Sequence, residues 1–299
     1  MNMFHRGEQQ AQEKAGYQRV KAAIYPTMPE QHRLFYQGLQ TFYLTFAGAD
    51  GYPVAALIQG AQGFIATPDE QHLDISRSAL HNLPYLPAIQ PGMPFGGLGI
   101  DLSNRRRNRV NGVVERIDQH SMRIRVQESF GNCPQYIQRR VLPPPDSRRQ
   151  PGVEPLAALD ADARYLIAAA DTFFVASHAR RAGGVGGADI SHRGGVPGFI
   201  TLSGGKLLIP DYSGNRYMNT LGNILLEPRV ALLVMDFQQG AALHIQGRAE
   251  VLWQRPGEGR VERFWTLAPQ RILRLRQLLP AAGLSVEYAD SSLAAGDEQ

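Results

Sequence analysis

The two halves of this 299-residue chain carry similar short segments in the same order. Each similarity is weak by itself, but four segments keep their order with only small changes of spacing. Such a recurrence indicates an internal duplication, in which one structural unit occurs twice. The matched segments are 41–44 with 172–175, 51–53 with 195–197, 109–112 with 244–247, and 133–137 with 268–272.

Each copy is predicted to contain a helix, several antiparallel strands and a second helix. Short apolar runs joined by Gly-rich turns are typical of small β-barrels, so we expect a mainly β fold. The proline-rich segment 142–152 predicts a spacer, which divides the chain into domains over residues 1–150 and 151–299. Five helices are predicted. Two have predicted limits, 11–23 and 216–226. Of the other three, one begins at Pro29, one begins within 159–162, and one follows Pro134.

A hairpin is predicted near the middle of the second copy. The apolar runs 198–202 and 206–210 flank the sequence Ser-Gly-Gly, which favours a tight turn between two strands. The polar residues on either side of this hairpin therefore come to lie next to each other.

These flanking residues predict a site for an anionic ligand. His192 and Arg193 precede the first strand, and Asn215 and Arg216 follow the second, near the start of a predicted helix. Arginine side chains and free backbone N–H groups at a helix start bind phosphate. For His192 and Arg193 there are two interpretations: contact with the ring or phosphate of a ligand, or capping of a loop that is exposed to water. The alternative is a capped surface helix on which Arg216 is only solvated.

The strongest charge cluster is the run NRRRNRVN at 104–111. In a strand, Arg105, Arg107 and Arg109 would share one face. Nucleic-acid binding is one interpretation, although the run lacks the interleaved aromatic side chains of a stacking surface. A solvated strand face is another. The third is that one copy contributes positive side chains to a ligand held by the other, since the matching segment 242–247 is nearly neutral.

Other function classes have little support in the sequence. Cys133 is the only cysteine, which excludes an intrachain disulfide or a cysteine metal cage, and its match with Ala268 predicts a small packed residue. No apolar run approaches the roughly 20 residues of a membrane span, and no secretory signal begins the chain, so we expect a cytoplasmic protein. Neither hydrolase nor dinucleotide-fold motifs occur, and the glycine-rich segment 181–187 predicts a mobile loop.

The longest motifs resemble a known family. The segments DISHRGGVPGF, IPDYSGNRYMNTLGNILLEPRVALLVMD and HIQGRAEVL are similar to pyridoxamine 5′-phosphate oxidase-related, FMN-binding split-barrel proteins. In the first half, FHRGEQQAQ, LGIDLSNRRRNRVNGVVERI and SFGNCPQYI resemble a two-barrel branch of that superfamily. This resemblance covers most of residues 4–275. It implies two tandem split β-barrels, a pseudo-dimer within one chain, with FMN in the cleft between them.

The resemblance also implies which residues contact FMN. They are Arg193, Gly198 and Phe199 on one strand, Pro210 and Asp211 at the end of the next, Asn215 and Arg216 at the phosphate, and Arg107, Arg109 and Asn111 from the other barrel. The family has a basic residue where Asn215 stands, so the phosphate is expected to depend more heavily on Arg216. The C-terminus lacks the arginine-rich substrate signature of the true oxidases, so the resemblance does not extend to vitamin B6 oxidation.

The sequence therefore predicts an FMN-dependent oxidoreductase whose substrate is unknown. The alternative is a non-catalytic module that carries flavin or haem or transfers electrons. The expected partners are a small-molecule substrate or a redox protein, and a second copy of the chain in a homodimer. No metal, membrane or nucleic-acid partner is expected.

Overall fold

A computed structural model describes residues 4–17, 20–81, 83–146, 149–180, 186–214, 216–253 and 261–296. The first half contains strands β1 (Thr41–Ala47), β2 (Pro53–Gln59), β3 (Ile65–Ala66), β4 (His72–Ser76), β5 (Pro94–Asp101), β6 (Arg106–Ile117) and β7 (Ser121–Gly131). The second contains β8 (Gly152–Leu156), β9 (Thr172–Arg180), β10 (Gly186–Gly194), β11 (Thr201–Ser203), β12 (Lys206–Tyr212), β13 (Arg229–Asp236), β14 (Ala241–Leu252) and β15 (Val261–Arg276). The helices are α1 (Arg6–Lys14), α2 (Glu30–Gln37), α3 (Ala161–Ala169), α4 (Asn219–Leu226) and α5 (Asp290–Gly296).

The strands form two antiparallel sheets with the same topology. The first has the order β2-β1-β5-β6-β7-β4-β3, and the second has the order β10-β9-β13-β14-β15-β12-β11. Each position in the second order holds the counterpart of the strand at that position in the first, and β8 adds to the side of β15. The prediction of a mainly β fold with two tandem barrel-like units is therefore confirmed.

Two matched glycines mark the same irregularity in both sheets. The register between β6 and β7 shifts at Gly112, and that between β14 and β15 shifts at Gly247. A Cβ atom at either glycine would lie 2.1 Å from a backbone carbonyl oxygen of the neighbouring strand, so only glycine fits these bulges. The match of 109–112 with 244–247 is therefore correct. The match of 41–44 with 172–175 is also correct, because these segments begin the counterpart strands β1 and β9.

The other two matches are wrong. Residues 51–53 lead into β2, which begins at Pro53, whereas 195–197 follow its counterpart β10. Residues 133–137 follow β7, whereas 268–272 lie inside β15. Short segments that contain proline or glycine occur in many turns and strand ends. These two matches therefore do not align structurally equivalent residues of the two units.

The hairpin is confirmed, but three helix predictions need correction. Strands β11 and β12 are joined by Gly204 and Gly205, whose φ angles of 56° and 77° suit a tight hairpin turn. Helix α1 ends at Lys14 instead of continuing to 23, and no helix follows Pro134 among the described residues 135–146. Helix α4 starts at Asn219 instead of 216 because Met218 adopts a left-handed conformation with φ 60°.

One of the two apolar clusters contains residues of both units. The rings of Tyr43 and Phe174, which occupy matching positions on β1 and β9, stack with centroids 3.5 Å apart and are fully buried. Leu57, Ile190 and Leu233 belong to the same buried cluster, which thus combines strands of both sheets. Burial of this much apolar surface fixes the units relative to each other, and so fixes the shape of any cleft between them. In the described part of the chain, no helix is long and apolar enough to cross a membrane.

Candidate functional site

The two units meet around a cavity of about 690 Å³. Strand β6 of the first unit forms one wall, together with residues 131–136 at and beyond the end of β7. Strands β10 and β12 of the second unit form the facing wall. The rim is completed by Gly16, Tyr17, Val20, Lys21, Ser213, Gly214, Arg216 and Tyr217. The volume lies in the range of small-molecule and cofactor sites.

Positive charge dominates the wall of this cavity. The cationic side chains that line it are Lys21, Arg107, Arg109, Arg193 and Arg216, and the described lining residues include no aspartate or glutamate. Like charges in a partly enclosed site repel one another, so an anionic ligand lowers their electrostatic free energy. The cavity is therefore suited to an anion.

Aromatic rings provide the apolar part of the wall. Tyr136 and Tyr212 are stacked with ring centroids 5.0 Å apart, and the Tyr136 hydroxyl donates to the carbonyl oxygen of Ser213 at 3.1 Å. Phe199 is buried against Phe173 at 5.8 Å. Rings held in this way offer flat apolar surface to a planar ligand. The cavity thus combines sites for charge and for an aromatic ring system.

Arg107 and His192 approach each other from the two units. Arg107 Nη1 lies 3.1 Å from His192 Nδ1. Because a guanidinium group only donates hydrogen bonds, Nδ1 accepts, and the neutral imidazole carries its proton on Nε2. Burial, followed by the nearby charge of Arg107, lowers the pKa of His192 well below its usual value and keeps the ring neutral. The Nε2 atom of His192 and the Nε atom of Arg107 are both buried and have no partner within the described protein.

Arg193 shares a buried carboxylate with a second arginine. Its Nη1 donates to Asp211 Oδ1 at 2.5 Å, and Arg263 Nε donates to the other oxygen at 2.9 Å. Asp211 is completely buried, behind the cavity wall. The Nε and Nη2 atoms of Arg193 are buried without a protein partner among the described residues. Arg193 and Arg263 thus share the carboxylate of Asp211.

Arg109 has a different role from Arg107, although both lie on the same face of β6. Arg109 Nη1 donates to both oxygens of Asp189, at 2.9 and 3.1 Å, and to Asn219 at 3.0 Å. Its Nη2 donates to Ser191 at 2.6 Å. Arg109 and Asp189 are both buried and come from different units. The guanidinium group of Arg109 is therefore used mainly to join the two units.

The rim of the cavity is more exposed. Arg216 and Lys21 are both exposed, and both line the cavity. The guanidinium carbons of Arg216 and Arg263 each lie 5.7 Å from the centroid of the Tyr17 ring. Arg216 is thus positioned beside an aromatic ring at the entrance, where its charge is accessible to a ligand.

The structure brings most of the predicted site residues together. Those that line the cavity are His192, Arg193, Phe199, Pro210, Arg216, Arg107 and Arg109. His192 and Arg193 lie within β10 and pair with β9, so they are not a lead-in to the hairpin. Asp211 acts from behind the wall by holding Arg193. Gly198 and Asn111 are not among the lining residues, and Asn111 donates to Glu128 at 3.3 Å. Asn215 lies outside the described residues.

Cys133 requires a correction. It is exposed and lines the cavity, whereas its match with Ala268 predicted a packed residue. The prediction was wrong because Ala268 lies inside β15, and Cys133 lies beyond the end of β7. The glycine-rich segment proposed as a mobile loop falls partly on 181–185, outside the described residues, while Gly186 and Gly187 begin β10.

Sequence reasoning missed the part of the wall formed by the N-terminal segment and by the residues after β7. Tyr17 and Lys21 lie in the segment 11–23, for which only a helix is predicted, and no local pattern indicates that Tyr17 contacts Arg263. Tyr136 has a φ angle of 62°, which is unusual for a tyrosine but not visible in the sequence. Tyr212 and Tyr217 lie beside the predicted site residues Asp211 and Arg216 in the sequence, but no ligand contact was predicted for either tyrosine.

The pseudo-symmetric counterpart of this cavity has lost its charge. Strand pairing gives the counterparts: Ala242 for Arg107, His244 for Arg109, Leu57 for His192 and Ile58 for Arg193. Burial lowers the pKa of His244 to about 4, so this side chain is neutral at neutral pH. The second cleft therefore lacks the cations that distinguish the first.

The chain itself fills this second cleft. The ring of Tyr85 lies 5.3 Å from that of His244, and the side-chain amide of Gln59 donates to the carbonyl oxygen of Leu278 at 2.8 Å. Apolar side chains from two connecting segments join the same buried cluster: Leu83, Leu86, Ile89, Leu278, Leu279 and Leu284. Only one of the two pseudo-equivalent clefts is thus available to a ligand in the described structure.

Comparison with known proteins gives only distant structural likeness. No protein-family model matches the chain, and neither does any curated protein. It is similar to a provisionally assigned pyridoxamine 5′-phosphate oxidase from Lactobacillus delbrueckii (16% identity, 40% of this chain and 98% of that chain, TM-score 0.30). It is also similar to an FAD-binding protein from Mesorhizobium loti (18% identity, 42% of this chain and 99% of that chain, TM-score 0.27). A third similar structure is the heme storage protein HutZ from Vibrio cholerae (12% identity, 45% of this chain and 99% of that chain, TM-score 0.26). At these identities and TM-scores, the likenesses bear on no residue or ligand of this chain.

Proposed function

We propose that the cavity binds FMN and that the protein is an FMN-dependent oxidoreductase acting on a small molecule or a redox partner. The observation that carries this proposal is a wall with five cations, no lining carboxylate among the described residues, and several aromatic rings. A ligand that is anionic at one end and planar at the other meets both requirements. The motif resemblance to FMN-binding split-barrel proteins supports the same ligand.

The residues present fit the parts of FMN. Arg216 and Lys21 at the exposed rim suit a phosphate group, which prefers charge-assisted hydrogen bonds. The aromatic wall suits the ring system, and the unpartnered donors of Arg107, His192 and Arg193 suit its polar edge. When bound, FMN supplies hydride and electron transfer, while the protein supplies binding, orientation and electrostatics.

His192 is poorly suited to ligate the iron of a haem group in this cavity. Iron ligation by Nε2 needs a free lone pair on that atom. The hydrogen bond from Arg107 occupies Nδ1 as an acceptor and places the imidazole proton on Nε2. The Nε2 atom therefore donates a hydrogen bond, which matches the acceptor atoms of a flavin ring.

A visible absorption spectrum of the purified protein and an FMN titration test this proposal. We expect a flavin spectrum, and we expect Arg216→Ala to raise the Kd for FMN by about 10- to 100-fold, the loss of a charge-assisted contact. Arg248→Ala is the matched control, because Arg248 is exposed on β14 and does not line the cavity. A protein that binds no FMN would refute the proposal, and an equal Kd for Arg216→Ala would place the phosphate elsewhere.

The enzymatic part of the proposal needs a separate measurement. We expect NAD(P)H to reduce the bound flavin under anaerobic conditions, followed by reoxidation on addition of an acceptor. A flavin that is bound but is reduced by neither nicotinamide nor a redox protein would indicate the carrier alternative. Size-exclusion chromatography tests the proposed homodimer in the same preparation.

A further inference from the structure

Four buried nitrogen donors at the inner part of the cavity have no hydrogen-bond partner among the described residues. They are Nε of Arg107, Nε2 of His192, and Nε and Nη2 of Arg193. All three residues line the cavity, and His192 is only 5% exposed. Leaving a buried donor unpaired is unfavourable because the group has lost its hydrogen bonds to water, so such a cluster indicates a ligand that accepts several hydrogen bonds at this position.

The charge balance indicates that this part of the ligand is negative. Arg107 has no carboxylate partner among the described residues, and Arg193 shares Asp211 with Arg263. Burial, then repulsion from Arg109 and Arg193, lowers the pKa of Arg107 to about 9, although Cys133 acts in the opposite direction. A neutral acceptor would satisfy the hydrogen bonds but not the excess positive charge. A negative group satisfies both.

We propose that Arg107, His192 and Arg193 stabilise negative charge on the ring system of bound FMN, so that the protein binds the reduced cofactor more tightly than the oxidised one. This inference rests on the proposed function. Oxidised flavin is neutral in its ring. Addition of two electrons and one proton, which goes to N5, leaves one negative charge shared by N1 and the C2 carbonyl oxygen.

The inner cluster and the rim should therefore differ in their effects. The phosphate carries the same charge in both redox states, so Arg216 contributes equally to the binding of each. The ring changes its charge on reduction, so Arg107 and Arg193 contribute more to the reduced state. By thermodynamic linkage, tighter binding of the reduced form raises the reduction potential of the bound flavin.

The test is the ratio of the Kd values for oxidised and reduced FMN. Both are measured anaerobically, with sodium dithionite as the reductant, for the wild type and for Arg107→Met, Arg193→Met, Arg107→Lys and Arg216→Met. We expect the ratio to fall at least tenfold in each of Arg107→Met and Arg193→Met, equivalent to a fall of about 30 mV in the two-electron potential. Arg107→Lys should largely keep the ratio because it keeps the charge, and Arg216→Met should raise both Kd values by the same factor.

The outcomes separate this inference from the proposed function. Circular dichroism first checks that each variant is folded. If FMN binds the wild type but Arg107→Met and Arg193→Met leave the ratio unchanged, the inference is wrong and the proposed function stands. If neither redox form binds the wild type, both are wrong. If the ratio falls as much in Arg216→Met as in Arg107→Met and Arg193→Met, the inner cluster has no special effect on the reduced ring and the inference is also wrong.

Discussion

The buried ion pair between Arg109 and Asp189 is predicted to hold the two units together. The two residues come from different sheets, are 5% and 4% exposed, and are joined by hydrogen bonds of 2.9 and 3.1 Å. Replacing Arg109 with methionine leaves the carboxylate of Asp189 buried without a cation. Removal of one partner of a buried pair typically costs 3–5 kcal/mol, so we expect Arg109→Met to lower the free energy of unfolding by about 4 kcal/mol.

A double substitution tests the physical reason for this loss. In Arg109→Met with Asp189→Leu, no charge remains buried and the two apolar side chains can pack. The double variant should therefore be more stable than Arg109→Met alone. The exposed pair of Arg271 with Asp50, which also joins the two units, provides a control, and Arg271→Met should cost less than about 1 kcal/mol.

Urea unfolding measures these differences. Trp265 is fully buried in the second unit, so its fluorescence reports the transition, and circular dichroism gives an independent record. If Arg109→Met costs no more than Arg271→Met, the ion pair does not join the units and the reasoning is wrong. A double variant that is no more stable than Arg109→Met would show that the loss comes from packing and not from an unpaired charge.

Three further predictions concern the second cleft and the cavity. Burial lowers the pKa of His244 from an unfolded value near 6.5 to about 4, so the unfolded state binds the proton more tightly and stability should fall as the pH drops from 6.5 toward 4. Protonation of His244 should lower the free energy of unfolding by an amount on the order of 3 kcal/mol. In urea titrations at several pH values, His244→Gln should reduce the slope of the unfolding free energy against pH. An unchanged slope would contradict the burial argument. Because the chain fills the second cleft, FMN should bind with a stoichiometry of one per chain, measured by absorbance after gel filtration, and two per chain would contradict the filled cleft. Cys133 is the only cysteine and lines the cavity, so saturating FMN should slow its labelling by a thiol reagent at least tenfold, and an unchanged rate would place the ligand elsewhere.

Much of the fold follows from local patterns that the sequence carries. Short apolar runs and Gly-rich turns predict the strands and the hairpin, because strand propensity and turn conformation depend on neighbouring residues. The weak repeat predicted two copies of one unit, and the identical strand orders agree with it. Helix limits were less accurate, since α4 starts after a left-handed Met218 that tertiary packing holds buried. The domain limits, the cytoplasmic location and the homodimer remain predictions.

The role of each basic residue, in contrast, depended on tertiary structure. Arg107 and Arg109 are two residues apart on the same face of β6, and the sequence treats them alike. Asp189, far along the chain, pairs with Arg109, whereas Arg107 donates to the neutral ring of His192 and has no carboxylate partner among the described residues. The same holds for the two clefts, one lined by cations and the other filled by Tyr85 and its neighbours. Local sequence determines strands and turns through short-range sterics, but the availability of a charge for a ligand depends on which distant groups the fold places beside it.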